Sequence, residues 1–273
     1  MVKAWNPITL EEALYIKKEH PGAVPYAGGT DWMVNPKANV PLLFLNQIPS
    51  LKEVLEGDIT LAIGACSVYA DLLQTIAVPE ILKSAIRGIA APAIRNIGTL
   101  GGNICNASPA GDSLPALYVL DAQVVLAAIS DGGNVKRRKM PVWEFIQGVR
   151  KTALRPDELL IKILIPKHSF SHSYYQKVGA RKAQAISKLS FAALANVEQS
   201  RITEFRVAFG SVGATVVRDQ KLENIVSQQS LDVEKVAQVY GDILKPIDDQ
   251  RSNTVYRKKV CINLLKDFIL SIK

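Results

Sequence analysis

The sequence predicts a chain of two domains, one of mixed helices and strands over residues 1–167 and a smaller α+β domain over residues 168–273. Three observations predict it. The chain has 273 residues, 48% hydrophobic and 21% charged, which suits one large or two modest domains with apolar cores and excludes global disorder. Helix and strand signals are interspersed through the first part, whereas strands followed by helices fill the second. The composition shifts after Pro166-Lys167-His168, which sets the boundary.

The elements follow in order. Thr9-Leu-Glu-Glu12 is a capping box opening a helix to about His20, and Pro21-Gly22 ends it. Ala23–Tyr26 is a short strand that breaks into the turn Ala27-Gly-Gly-Thr-Asp31. Leu42–Leu45 and Ile59–Ile63 are strands. Ser67 is placed to cap a helix containing Asp71, Leu72 and Leu73. Val78–Ala90 is a helix with Ile81, Leu82, Ala85, Ile86 and Ile89 on one stripe. Ile97–Asp112, with four glycines and several short polar side chains, reads as a loop of the kind that carries function. Gln123–Ile129 and a strand through Lys139 form a hairpin about Asp131-Gly-Gly-Asn134. Pro141–Gln147 reads as helical, and Leu159–Ile165 as a β-branched strand closed by Pro166. In the second part, Tyr174–Val178, Leu189–Val197 and Arg201–Phe209 are strands. Ala214–Ser227, Leu231–Leu244 and Thr254–Leu270 are helices.

Composition and charge exclude several functions. Thirty-three basic against 25 acidic residues give a net charge of +8, but the excess is scattered. Its densest clusters, Lys136–Lys139 and Arg257–Lys259, lack interleaved aromatics, so they read as solvated surface rather than a nucleic-acid interface. Cys66, Cys105 and Cys261 lie far apart with no CxxC. This excludes a disulfide framework, a four-cysteine zinc site and a self-contained cysteine-ligated iron–sulfur cluster. No apolar run approaches the ~18 residues of a membrane span, and the N-terminus has no secretory h-region, so a cytoplasmic, reduced setting is expected. His20, His168 and His172 read as solvated. With no His-Glu-x-x-His, carboxylate cluster or nucleophile triad, any catalysis falls to a bound cofactor.

Two glycine-rich segments stand out, Ala27–Asp31 and Gly98–Asn103. Neither ends in the Gly-Lys-Ser/Thr of a P-loop, and neither is a G-x-G-x-x-G opening a helix. Glycines permit positive φ and close backbone approach to an anion, and Thr30, Thr99 and Asn103 can add side-chain hydrogen bonds. Spacing alone fits two readings: facing cradles for a pyrophosphate, or tight turns between core elements.

At these segments the resemblance becomes specific. Pro25-Tyr-Ala-Gly-Gly-Thr-Asp-Trp32 and Ile94-Arg-Asn-Ile-Gly-Thr-Leu-Gly-Gly-Asn-Ile-Cys-Asn-Ala-Ser-Pro-Ala-Gly-Asp112 resemble the two FAD-binding signatures of the flavoprotein (medium) subunit of the xanthine dehydrogenase and carbon monoxide dehydrogenase family. The likeness extends over essentially the whole chain, including Asp157–Pro166 and Lys177–Lys188. It implies a two-lobed α/β FAD domain of the p-cresol methylhydroxylase type, followed by a smaller α+β domain of the CO dehydrogenase flavoprotein type. It implies FAD in this chain, with molybdopterin in a large partner subunit and [2Fe–2S] clusters in a small one. Electrons would pass from those clusters through FAD to NAD⁺ or another acceptor.

The resemblance also carries roles. Pro25, Tyr26, Ala27, Gly28, Gly29, Thr30, Asp31 and Trp32 would wrap the diphosphate. Thr99, Leu100, Gly101, Gly102 and Asn103 would form a facing wall, with Asn106 in the same motif. Asp112 would accept from a sugar or ribityl hydroxyl; the alternative is a cap on the next helix. Ile89 stands where animal relatives carry an aromatic against the flavin, and equally reads as core. Leu160 would contact flavin or adenine. Lys177 would lie near the pyrimidine ring and favour the reduced anion; the alternative is an exposed lysine. The chain lacks the four-cysteine insertion of the branch that reduces aromatic CoA thioesters, and it carries no fused iron–sulfur segment. It therefore looks like a separate bacterial or archaeal subunit. A free-standing flavin oxidoreductase of the same fold and a non-catalytic nucleotide-binding protein are the competing readings. The hydroxylated substrate would bind another subunit and is not legible here.

Overall fold

The structure, a computed structural model, describes residues 3–199, 201–228 and 232–272; Met1, Val2 and Leu231, the expected start of a helix, lie outside them. Contacts divide the chain into two units. The first comprises Met1–Val78, Ala91–Ala107 and Asp121–Lys167; the second comprises Pro79–Ala90, Ser108–Leu120 and His168–Lys273.

The first unit opens with the helix Leu10–Glu19. Thr9 Oγ1 accepts from the Glu12 N–H at 3.2 Å, and the Glu12 carboxylate accepts from Ile8 N–H at 3.0 Å. The capping box thus forms, reaching one residue beyond the cap. Buried Lys17 donates to both Pro21 O and Ala23 O at 2.7 Å, tying the end of this helix to the next strand. That strand, Val24–Tyr26, joins Leu42–Phe44 and Ala4–Trp5 in a parallel sheet with Leu42–Phe44 central. A five-stranded antiparallel sheet runs in the order Val54–Glu56, Thr60–Gly64, Leu159–Pro166, Gln123–Ile129, Val135–Pro141. Leu10, Ala13 and Leu14 share one core with Leu43 and Leu45 of the small sheet and Ala127, Leu159 and Ile161 of the large one. One face of the helix is thereby buried in a core shared with both sheets.

Three readings of this part are corrected. The stretch 97–112 contains a helix, Leu100–Asn106, capped by Thr99 and ended by Ala107 at φ +45°. Its glycines lower helix propensity, but Leu100 and Ile104 bury one face and that burial wins. Ser67 does not cap Tyr69–Gln74; Val68 holds that position and Ser67 Oγ donates to Lys52 O at 3.0 Å. Pro141–Gln147 is one helical turn, Val142–Phe145, passing into the strand Ile146–Gly148, which pairs with Lys151–Thr152.

The second unit is built on the antiparallel meander His172–Val178, Leu189–Glu198, Arg201–Gly210. Leu189 to Ala195 are buried on both faces of the central strand. One face, with Leu189, Phe191, Ala193 and Ala195, packs on Val226, Val236, Tyr240, Cys261, Leu265 and Phe268. Those residues come from the helices Gln220–Gln228, Val233–Ile243 and Thr254–Ser271. The other face is covered by two helices from earlier in the chain, Glu80–Arg87 and Ser113–Val119. A three-stranded sheet buried on both faces needs two covers, and the C-terminal helices supply only one.

Helix bounds shift here too. The expected helix from Ala214 begins at Gln220, because Phe209 and Val217 form a bridge that holds the intervening chain. The expected Val78–Ala90 helix is shorter, Glu80–Arg87, with Ala90 at φ +43°. No helix among the described residues is long and apolar enough to cross a membrane.

Candidate cofactor site

In the first unit the two glycine segments meet. A Cβ at Gly28 would overlap the backbone carbonyl of Ile97, and one at Gly29, which sits at φ +67°, would overlap the Tyr26 ring. Only glycine allows that approach and that dihedral. Pro25 and Tyr26 pair in register with Leu43 and Phe44, and the Tyr26 ring lies 4.9 Å from Phe44, so the strand end is fixed where the turn begins. Beyond it, the N–H groups of Gly28, Gly29, Thr30 and Asp31 and the Thr30 hydroxyl have no acceptor among the described residues. Ala27 is half-buried beside them. The Asp31 carboxylate is exposed, 3.9 Å from Arg150 Nη1. Trp32 opens a short 3-10 turn to Val34. Four consecutive backbone donors are thus unused, the kind of group that suits a phosphate.

The facing segment is arranged differently. Leu100 N–H donates to Ser67 O at 3.2 Å, Gly101 N–H to Ala65 O at 3.0 Å, and Gly102 N–H to Thr99 Oγ1 at 3.1 Å. The two segments therefore differ: in the facing one the N–H groups of Leu100, Gly101 and Gly102 are already engaged, and Thr99 Oγ1 accepts one of them. The two glycines of that segment part company. A Cβ on buried Gly101 would stand 2.7 Å from Ala65 Cβ and 2.9 Å from its Cα; one on exposed Gly102 would meet only Thr99 Oγ1, at 2.8 Å. Packing against the fixed backbone of Ala65 explains Gly101. Gly102 is exposed at the helix start, and the one internal contact a Cβ would meet there is the Thr99 cap oxygen. Asn103 and Asn106 are half-buried in the same helix, and Leu160, buried, lies on the strand packed against it.

In the second unit, Asp112, Lys177 and Ile89 lie close in the fold although distant in sequence. Lys177 Nζ donates to Asp112 Oδ2 at 2.7 Å and to Gly88 O at 2.9 Å. Ser187 Oγ donates to Asp112 Oδ1, and Tyr175 Oη to the Asp112 carbonyl at 2.9 Å. Burial pushes the Asp112 carboxyl above the ordinary range, against the opposing pull of Lys177 and Ser187. Asp112 occupies the N-cap position of Ser113–Val119 but makes no side-chain cap bond. Lys177 is no exposed lysine, with 14% of its side chain accessible. Ile89 is half-buried, next to Gly88. Ser187 and Tyr175 had no local signal, since their partner is 75 and 63 positions away.

His168 is exposed, as expected, with Nε2 2.6 Å from Glu204 Oε2, whereas His20 is half-buried and stacks on Trp5 at 4.5 Å. No three His, Cys, Asp or Glu side chains among the described residues converge to hold a metal ion.

Residues 1–168 match the family described as the FAD binding domain in molybdopterin dehydrogenase, and residues 173–272 the CO dehydrogenase flavoprotein C-terminal domain. The chain is 28% identical over 254 residues to a xanthine dehydrogenase FAD-binding subunit of Escherichia coli O157:H7, covering 89% of this chain and 85% of the relative. It is 32% identical over 227 residues to a caffeine dehydrogenase subunit beta of Pseudomonas sp. CBB1, covering 80% and 75%. In fold it resembles carbon monoxide dehydrogenase from Hydrogenophaga pseudoflava, with a TM-score of 0.90 at 23% identity over 99% of this chain and 98% of that one. The chain belongs to the FAD-binding subunits of the xanthine and carbon monoxide dehydrogenase family of molybdenum hydroxylases.

Proposed function

We propose that this subunit holds one FAD without a covalent tether and passes electrons between [2Fe–2S] clusters of a small partner subunit and NAD⁺ or a similar acceptor. The substrate would be hydroxylated on a molybdopterin-bearing large subunit. The observation that carries the reading is the row of unused N–H donors from Gly28 to Asp31, which matches an anionic diphosphate. When bound, FAD supplies the redox chemistry, because the described side chains form no acid–base or nucleophilic set for an organic substrate.

This chain's own residues do the rest. The Gly28–Asp31 N–H groups and the Thr30 hydroxyl bind the diphosphate. Tyr26 braces Gly29 from behind, and Gly102 leaves the helix start bare so that the cofactor can lie against it, with Asn103 and Asn106 along that wall. Leu160 gives apolar backing. Lys177, held by Gly88 O and Asp112, keeps a positive charge that favours reduced flavin. Ile89, aliphatic, offers apolar contact without stacking. Bound in a partner complex, the protein would work in the cytoplasm.

The test is purification from the native source with metal and flavin analysis. Iron and molybdenum should co-purify with the chain, and acid should release all flavin from the precipitate. Flavin retained in the precipitate would contradict noncovalent binding. Turnover of an organic substrate by the isolated chain with oxygen alone would replace the relay with a free-standing oxidase.

A further inference from the structure

We propose that the open face of the five-stranded sheet in the first unit docks a partner subunit that presents carboxylates around an apolar centre. The proposal rests on the reading that this chain works in a complex.

The face follows from register. Paired residues on neighbouring strands point to the same side of a sheet. Leu55, Ala62, Leu164 and Gln123 therefore form one cross-strand row, and Lys162, Val125 and Lys139 the next. The opposite face is closed: Leu61, Ile63, Val124, Leu126 and Ile163 are at most 2% exposed. On the open face the helix Leu10–Glu19 covers one end, where Ala127 and Leu159 lie in the shared core and Val125 at its margin. Beyond Val125, Lys162 and Leu164 stay half-buried although they sit on the central strand, and Leu55 is 51% exposed. A central-strand residue is flanked on both sides, so its contact with solvent comes through an uncovered face.

The charges point to the occupant. Lys162, Lys139 and, farther along the same edge strand, Arg137 make no ion pair among the described residues. Glu53, in register on this face, is two strand spacings from Lys162, about 10 Å and beyond a Debye length of about 8 Å. Basic residues on the edge strand Val135–Pro141 have a simpler reading, since edge charges block unwanted strand pairing. That reading does not reach Lys162 on the central strand, nor the exposed leucine beside it. A cation-rimmed apolar patch is complementary to a protein surface with carboxylates around an apolar centre. A second copy of this chain does not fit, because a self-pairing face would set Lys162 and Lys139 against their own copies in a chain already at +8. The two rows carry no aromatic side chain on which a base could stack, which disfavours nucleic acid.

The experiment is purification of the full chain from its native host, wild type and variants, with iron, molybdenum and FAD measured per chain and sedimentation at two protein concentrations. Lys162→Glu and Lys139→Glu should each weaken partner retention by roughly tenfold or more, read as loss of iron or molybdenum at unchanged FAD content and unfolding midpoint. Lys136→Glu makes the same charge change on the same strand but on the opposite face, and should keep both metals. Should Lys162→Glu fail to fold, Lys139→Glu on the exposed edge still decides. Folded glutamate variants with wild-type iron and molybdenum would overturn the proposal and leave the functional reading intact. Equal metal loss in Lys136→Glu would show an effect of bulk charge and overturn it too. So would a wild-type dimer that the face variants dissolve, or bound nucleic acid that they release. A wild-type chain carrying FAD but neither metal would defeat the functional reading, and this docking partner with it.

Discussion

Adjacent glycines at 101 and 102 should respond in opposite ways to the same added methyl group. In Gly101→Ala the new Cβ stands 2.7 Å from Ala65 Cβ and 2.9 Å from its Cα. Ala65 cannot yield easily, because its N–H bonds Ile161 O at 3.0 Å and its carbonyl takes the Gly101 N–H. Overpacking against fixed backbone costs about 2 kcal/mol, a drop of roughly 4–8 °C in the unfolding midpoint. In Gly102→Ala the position is exposed and helical. The methyl group gains about 1 kcal/mol of helix propensity and loses a similar amount by disturbing the Thr99 cap, so stability should stay within ~0.5 kcal/mol. Flavin binding should behave conversely. If the cofactor lies against the bare helix start, Gly102→Ala should weaken FAD by at least about tenfold, near 1.4 kcal/mol. Calorimetry of the chain without FAD and fluorescence titration with FAD read the two effects separately. Wild-type affinity in Gly102→Ala would remove the helix start from the site. Wild-type stability in Gly101→Ala would refute the packing argument. Because residue 102 is helical, the effect of a larger residue there comes from bulk, not from a forced dihedral.

Two further outcomes concern the scaffold. Asp249→Asn strips buried Arg257 of its carboxylate partner at 2.6 Å, leaving Ser211 O, and should cost about 2 kcal/mol by thermal unfolding. Arg257 and backbone N–H groups overcome partial desolvation and hold Asp249 at about 2, so its contribution is full above about pH 4 and lost as pH falls toward 2. The variant should lack that part of the wild-type acid sensitivity. Glu158→Gln breaks the paired contacts with Arg138 at 2.6 and 2.7 Å and weakens that with Arg155 N–H. It should cost about 2 kcal/mol and speed proteolysis between residues 149 and 157; an uncut segment would show that the pair does not hold it.

Much of the chain was legible because its signals are local. Thr9-Leu-Glu-Glu12 carries its own cap chemistry, Asp131-Gly-Gly-Asn134 its own turn with Gly133 at φ +77°, and the strands of the meander their own apolar runs. The Gly-Gly segments were recognisable for the same reason: a backbone approach as close as that of Gly28 to Ile97 O leaves no room for a Cβ. Where local signals competed, packing decided. Glycine content argued against a helix at Leu100–Asn106, and burial of Leu100 and Ile104 outweighed it.

What the sequence by itself determined was therefore most of the elements and the family resemblance. Only the tertiary structure decided which of the candidate donors remain free. Whether an N–H donates to Ala65 O or to nothing depends on what the fold brings opposite it, and that left the donors of Gly28–Asp31 open while those of Leu100–Gly102 are spent. The same holds for Asp112, whose nearest partners by contact, Tyr175, Lys177 and Ser187, are among the farthest by sequence. Hydrogen-bond satisfaction is a property of the folded neighbourhood, and spacing along the chain does not encode it.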